Sequence, residues 1–255
     1  MYEFTLFQLD PSIIFLGVVI GLVAQLVDGA LGMGYGVTSN SILLSFGIPP
    51  SISSASVHTS EVFTTLSSGV SHLKLGNVDR TMIKRLVVTG IIFGAVGAFV
   101  CTSISGNILK SIVAIYLLAM GAIILAKVFG PIKFHIKKRH IPVIGAFAAF
   151  FDAVGGGGWG PIATTTLIAG GHNPRLTIGS VNITEFFVTV AEAATFFVIL
   201  GLSHINIIIG LIIGGVAMAP FAAYTCKKIP TKPLMLVVSL LIIGLSVRTL
   251  LLSLA

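Results

Sequence analysis

The sequence predicts an all-α integral membrane protein made of two inverted repeats, each with a Gly-rich broken or re-entrant helix pair plus about three transmembrane helices. Three observations carry that expectation. The 255 residues are 55% hydrophobic and 9% charged, with mean hydropathy +1.07, whereas a soluble domain carries roughly 25% charged residues. Apolar stretches of spanning length recur from end to end. One motif also occurs twice: Gly21–Gly36, containing Asp28, Gly32, Gly34 and Gly36, returns without a gap 124 positions later as Gly145–Gly160, containing Asp152, Gly156, Gly158 and Gly160. The register continues through Pro50/Pro174, Ser56/Ser180, Val57/Val181, Glu61/Glu185, Phe63/Phe187 and Thr65/Thr189. A single duplication of half an apolar chain is the pattern of a two-fold transporter whose site lies between the halves.

The spans follow in order. Segments 12–28, 51–73, 82–101, 107–128, 176–200, 204–225 and 233–254 each approach the length needed to cross hydrocarbon as a helix, about 20 residues. Val37–Phe46 and Ile162–Ala169 are too short for that. Each is expected to form, with the helix before it, a hairpin whose tip is the Gly-rich turn; irregular backbone at membrane depth is tolerated only where protein or a wet cavity surrounds it. Residues 1–128 form the first repeat, 129–140 a basic cytoplasmic linker and 141–255 the second repeat. Met1–Asp10 carries Glu3 and Asp10 and no basic residue, so a cleavable signal is not expected.

Charge sets the orientation. Lys74, Arg80, Lys84 and Arg85 flank one loop, and Lys127, Lys133, Lys137, Lys138 and Arg139 crowd the linker, whereas Thr102–Asn107 is uncharged. In the second half the bias reverses: Gly201–Asn206 holds only His204, while Lys227, Lys228 and Lys232 load the loop that corresponds to Thr102–Asn107. Basic loops stay cytoplasmic, so one sequence unit is inserted in two opposite senses and both termini lie outside the cytoplasm of a cell inner membrane. The net charge of +7 is thereby explained by topology and needs no nucleic acid. Cys101 and Cys226 sit at apolar helix ends and read as small buried or lipid-facing residues.

Candidate ligand-contacting residues fall in the turns and in the polar stretches after them. Gly34, Tyr35 and Gly36, and Gly157, Gly158, Trp159 and Gly160, supply backbone that bends and approaches a ligand closely, with free amides where a short helix begins. Ser56, Thr59, Ser180 and Asn182 offer neutral donors to an anion, His58 is either a donor or a proton carrier, and Arg175 is a candidate cation. Carboxylates within a membrane are functional candidates by default. Asp28 and Asp152 are expected to brace the turns through backbone N–H groups, with protonation coupled to transport as the alternative, while Glu61 and Glu185, with the additional Glu192, suit either proton coupling or hydrogen bonding between helices. His58 and Glu61 at i,i+3 lack further metal ligands, so no metal and no cofactor is expected. No Ser-His-Asp order, Walker motif or zinc spacing supports an enzyme.

Together these residues resemble the TauE/SafE family (sulfite exporter, or toluenesulfonate uptake permease). The resemblance covers almost the whole chain. It rests on the paired Asp-x3-Gly-x-Gly-x-Gly turns, on Gly47–Pro50 and Gly171–Pro174, on Leu73–Asp79, and on Lys227-Lys-Ile-Pro230 before the last span. It implies secondary transport of sulfite or a related small sulfur oxoanion or organosulfonate by alternating access, with export favoured and proton coupling open. A passive anion channel or a sulfate/thiosulfate uptake permease of the same fold is the alternative. Met33 and Tyr35 depart from the family's poly-Gly turn, so the two turns are not expected to play equal roles. The partners expected are the anion and the lipid bilayer; the sequence leaves a homodimer open.

Overall fold

The computed structural model describes residues 9–31, 33–74, 76–130, 136–201, 204–225 and 231–254. Gly32, Leu75, Lys133, Cys226, Lys227, Lys228, Pro230 and Glu3, which entered the sequence reading, lie outside the described residues. The described chain is all-helical. Helices α1 (Pro11–Leu31), α2 (Tyr35–Ser45), α3 (Pro50–Lys74), α4 (Arg80–Ser103) and α5 (Gly106–Phe129) form the first half. After a 3-10 turn at Lys138–His140 come α6 (Ile141–Gly155), a π-helical turn (Gly160–Thr164) that runs into α7 (Thr165–Ala169), α8 (Pro174–Leu200), α9 (Ile205–Thr225) and α10 (Thr231–Leu254).

The duplication is visible in the packing. α1 packs on α9, and the equivalent pair, α6 on α4, does the same with the halves exchanged. α3 on α9 is matched by α8 on α4, and α2 on α10 by the π turn on α5. α3 against α8 and α5 against α10 are each equivalent to themselves, so they lie at the centre of the arrangement. The two halves therefore interlock rather than stand side by side.

Local chemistry explains the boundaries. Asp79 caps α4 by accepting the Thr81 and Met82 amides at 2.8 and 3.2 Å. Asn173 caps α8 by accepting the Leu176 amide at 3.2 Å, with Pro174 in the first turn, the position where a missing N–H costs nothing. α2 has 11 residues, about 16 Å of helix at 1.5 Å per residue, or half the hydrocarbon thickness. It cannot cross.

Seven spanning segments were expected; five described helices are long and apolar enough to cross: α1, α4, α5, α8 and α10. The other two are separate cases. α3 has 25 residues but is too polar: Ser53, Ser54, Ser56, His58, Ser60 and Glu61 are all buried. That first part of the helix is enclosed by protein, whereas Phe63, Leu66, Val70 and Leu73 further along are exposed. α9, 21 residues from Ile205 to Thr225 without a charged side chain, is long enough to cross as expected, and its described apolar stretch is Ile205–Ala219. The outer surface is correspondingly apolar, with Phe129 83% and Val198 81% exposed, while polar side chains collect inside, as expected where the solvent is lipid.

The α1–α9 seam is built from small residues, the usual way for membrane helices to approach closely. A methyl group at Gly17 would stand 2.8 Å from the Ile207 carbonyl oxygen, and one at Gly21 2.5 Å from that of Leu211. Gly244 in α10 has no neighbour within 4 Å of a methyl group. Gly21→Val is therefore expected to cost about 1–3 kcal/mol through overpacking and to lower the melting temperature of detergent-purified protein. Gly244→Ala should leave it unchanged or raise it.

Candidate functional site

The two glycine turns meet at the centre of the molecule. Gly34 (φ 118°) precedes α2, while Gly156 (φ 67°) and Gly157 (φ 143°) close α6; these are left-handed conformations that disfavour any side chain. The turns touch backbone to backbone. A methyl group on Gly36 would lie 2.5 Å from Gly157 Cα and 3.1 Å from Glu61 Oε1.

Breaking α6 here leaves carbonyls at its end short of helical partners; that of Asp152 still accepts the Gly157 amide at 3.0 Å, and side chains from other helices reach the end of the helix. His58 Nε2 lies 3.1 Å from the Asp152 carbonyl, the Ser54 hydroxyl donates to that of Ala153 at 2.5 Å, and the Cys101 thiol approaches that of Val154 at 3.9 Å. The Asn40 amide donates to the Gly155 carbonyl and accepts from the Ser53 hydroxyl. The Tyr116 hydroxyl donates to the Gly157 carbonyl at 2.9 Å. The backbone break is thus held by α2, α3, α4 and α5 at once.

Two carboxylates brace the starts of the short helices. Asp152 Oδ1 accepts the Trp159 amide at 2.8 Å, and Asp28 accepts the amide of Tyr35, the equivalent residue. The turn amides expected to face a substrate anion are, at these two positions, already engaged by the protein's own carboxylates. Trp159 is fully buried, its indole N–H donating to the Val181 carbonyl at 3.1 Å. Tyr35 is buried as well, its hydroxyl donating to the Leu211 carbonyl and facing Ser60 Oγ, both at 3.2 Å.

Beside the turns lies a small cavity lined by both halves, with Asp28, Tyr35, Glu61 and Ser68 from one and Asn182 and Glu185 from the other. Thr64 and Thr65 complete it. Its volume, about 10 Å³, has room for about one water molecule, so a larger guest requires movement of the helices. Asn182 Oδ1 accepts the Ser68 hydroxyl at 2.9 Å across the junction of the halves, while the Asn182 amide donates to the Ile178 carbonyl at 3.0 Å.

Deeper on α3, His58 is fully buried with Nδ1 2.9 Å from Glu61 Oε2 and 3.1 Å from Glu192 Oε2. Its ring stacks on Phe196 at 6.2 Å between centroids. Because Nε2 faces a carbonyl, which only accepts, Nε2 carries a hydrogen. One ligand atom each from His58, Asp152 and Glu192 lie within 4.8 Å of one another. Spacing along α3 could not reveal this grouping, since its second and third members arrive from α6 and α8.

The remaining sequence candidates are placed elsewhere. Ser56 and Thr59 donate to carbonyls one turn back, Ile52 at 2.8 Å and Ala55 at 2.7 Å. Ser180 donates to Leu176 at 2.7 Å and accepts the Asp79 amide at the same distance. Arg175 is exposed and donates to Asn77, so it joins Ser180 in holding the α3–α4 loop rather than lining the cavity. Gly158 packs under the Tyr116 ring and Gly160 opens the π turn. Among residues the sequence did not single out, Asn40, Ser54 and Tyr116 serve the backbone break, and Ser68, Thr64 and Thr65 the cavity. Lys127 belongs here too: its ammonium donates to Thr165 and lies 2.9 Å from Met33 Sδ, with no carboxylate in ion-pair reach among the described residues.

A family model described as "Sulfite exporter TauE/SafE" matches residues 17–249. The chain is 41% identical over 241 residues to the "Probable membrane transporter protein YtnM" of Bacillus subtilis (strain 168), covering 91% of this chain and 80% of that protein. No solved structure matches.

The bracing geometry is open to test. Asp152→Ala bares the buried Trp159 amide, a loss of about 1–3 kcal/mol, and should lower the melting temperature clearly. Asp152→Asn keeps an acceptor oxygen and should lower it much less.

Proposed function

The chain belongs to the sulfite exporter TauE/SafE family and is a multi-pass membrane transporter, not an enzyme; from that premise we propose that it is a secondary carrier of a small sulfur oxoanion, sulfite or an organosulfonate. It works by alternating access across the cytoplasmic membrane, with export as the favoured direction and protons as the coupling ion. The repeats 1–128 and 141–255 are inserted in opposite senses, joined by the basic linker 129–140, and both termini face away from the cytoplasm. The reversed loop charges and the reciprocal helix packing support that inversion.

The observation that carries this reading is the small cavity shared by the halves. Lined from α1, α2, α3 and α8, it lies where a rocking of one half against the other would open it, the arrangement of inverted-repeat carriers. Its near-closed volume argues for a carrier over a continuously open pore. Asn182, Ser68, Thr64, Thr65 and Tyr35 are the groups that hydrogen-bond the cargo. They replace water around an anion without a fixed positive charge that would trap it. Lys127, between the first turn and α7, supplies attraction along the way. Asp28, Glu61 and Glu185 line the same space, and three ionised carboxylates would repel an anion. The cargo therefore binds together with protons, which is the physical ground for proton coupling.

Reconstituted vesicles loaded with labelled sulfite or ethanesulfonate test the proposal. A carrier gives saturable flux with counterflow, whereas a linear, unsaturable conductance would indicate a channel. Absence of flux for sulfite, sulfate, thiosulfate and sulfonates alike would remove the oxoanion assignment. Asn182→Leu is expected to weaken binding of the transported anion about ten-fold, equivalent to about 1.4 kcal/mol, with little change in melting temperature. Unchanged affinity in a folded variant would remove Asn182 from the cargo site.

A further inference from the structure

The duplication builds the central chamber twice, and the two copies have come to differ. Moved by the repeat offset, the cavity residues Asp28, Tyr35, Ser68 and Asn182 become Asp152, Trp159, Glu192 and His58. In the first copy Asn182 and Ser68 meet at 2.9 Å beside an open space. In the second, the same two positions hold His58 and Glu192, 3.1 Å apart and with no exposed surface. A neutral pair in one chamber is an ionisable pair in the other.

We infer that the second chamber is a proton-binding site of the carrier, with His58 Nδ1 and the Glu192 carboxylate as its centre and Asn182–Ser68 as its cargo-binding counterpart. The inference rests on the carrier reading for its link to the cargo, but not for the existence of the site. Four features support it. Glu192 Oε1 and Asp152 Oδ2 are buried and have no hydrogen-bond partner, so the chamber holds acceptors that nothing in the fold occupies. Buried carboxylates in such number are tolerated only when a positive charge or a proton compensates them. The ring nitrogen hydrogen-bonds Glu61 Oε2 at 2.9 Å and lies 3.1 Å from Glu192 Oε2, which itself has no hydrogen-bond partner, a spacing that a proton shared with Glu192 would fill. Finally, the fold makes room for this carboxylate in particular: a methyl group on Gly94 would stand 2.7 Å from Glu192 Oε1. At the equivalent positions of the other half, the small Ser68 goes with the large Met218.

The surroundings supply both a route and a link. On the far side of the His58 ring, Phe196 borders a cavity of about 230 Å³ also lined by Thr59, Phe197 and Ile208, so one aromatic ring separates the imidazole from open space. On the near side, Glu61 joins the two chambers, since it faces His58 and also lines the cargo cavity. The ionisable groups facing the centre are Glu61 of α3, Asp152 of α6 and Glu192 of α8; Glu185, Asp28 and the Tyr35 phenol stand across the cargo cavity, Tyr116 of α5 caps the Gly157 turn, and α4 and α9 present none to it among the described residues. A proton on the His58–Glu192 pair lowers the negative charge that an anion meets at Glu61, so proton and anion favour one another's binding.

Infrared difference spectra of the purified full chain, recorded across pH without any anion, test the site itself. A carboxyl band that titrates should be lost in Glu192→Gln and shifted in His58→Gln, and should persist in Ser68→Ala. Thermal melting of the same samples checks that each variant is folded. Gly94→Ala, which crowds the carboxylate instead of replacing it, should move the same band. In vesicles holding a pH indicator, ethanesulfonate flux should carry protons in the wild type and lose that proton movement in Glu192→Gln. A titration indifferent to both Glu192→Gln and His58→Gln overturns the site, as does stoichiometric binding of Zn2+ or Mn2+ that Glu192→Gln abolishes, which would make it a metal site. Anion flux with no proton movement in the wild type overturns the coupling. Absence of any anion flux, with the Glu192-dependent band intact, overturns the carrier reading and leaves the proton site standing.

Discussion

A broken helix inside a lipid-facing molecule needs a partner for every backbone group the break sets free. That requirement organises this structure. At the end of α6 the carbonyls of Asp152, Ala153, Val154, Gly155 and Gly157 find His58, Ser54, Cys101, Asn40 and Tyr116. Water would satisfy them in a soluble protein; here four other helices must converge on one spot. Because two of those helices, α2 and α3, also line the shared cavity, the constraint that stabilises the break helps to gather the polar side chains that a solute would meet. The polarity of the first part of α3 follows from the same cause: it faces the break, so its serines and histidine are inside.

Duplication followed by divergence explains the rest of the centre. Both halves keep the aspartate that braces a short helix, Asp28 and Asp152, and both keep the glutamate about three turns into the long helix that follows, Glu61 and Glu185. The positions that meet across the junction were free to differ, because one member of each pair comes from each copy. Tyr35 reaches Ser60 and the Leu211 carbonyl, whereas Trp159 reaches the Val181 carbonyl. An exact two-fold would give two identical chambers; the exchanged side chains give two unlike ones on the same frame.

Much of this was legible in the sequence because it is local or periodic. Hydropathy shows that the chain is membrane-embedded, the fixed offset shows the duplication, and the length of Val37–Phe46 and Ile162–Ala169 shows helices too short to cross. The glycines of the turns are readable because few other residues take their backbone angles. What sequence reasoning missed is set by orientation and by long-range contact. Ser56, Thr59 and Ser180 looked available to an anion, but a hydroxyl on a buried helix readily bonds the carbonyl one turn back. Arg175 begins a helix near the Gly-rich region in sequence, yet its side chain turns outward to Asn77 and the α3–α4 loop. α3 passed as a span by length alone, since a helix enclosed by protein in its first part need not be apolar there. The meeting of His58 with Glu192 could be found only by overlaying the repeats on each other across the interlock, where Ser68 and Glu192 stand at equivalent positions.

The exchange of partners between halves has a consequence for how the protein is made. α1 leaves the ribosome long before the helix it packs against, α9, and α4 must likewise wait for α6. During synthesis these helices sit in the bilayer with their small-residue faces uncovered, held by lipid and by whatever insertion machinery shelters them. Contacts so distant along the chain form slowly. Assembly is therefore a late, concerted closure rather than a half-by-half process, and a truncated copy lacking α9 would leave the Gly17–Gly21 face of α1 open for quality-control proteases to recognise.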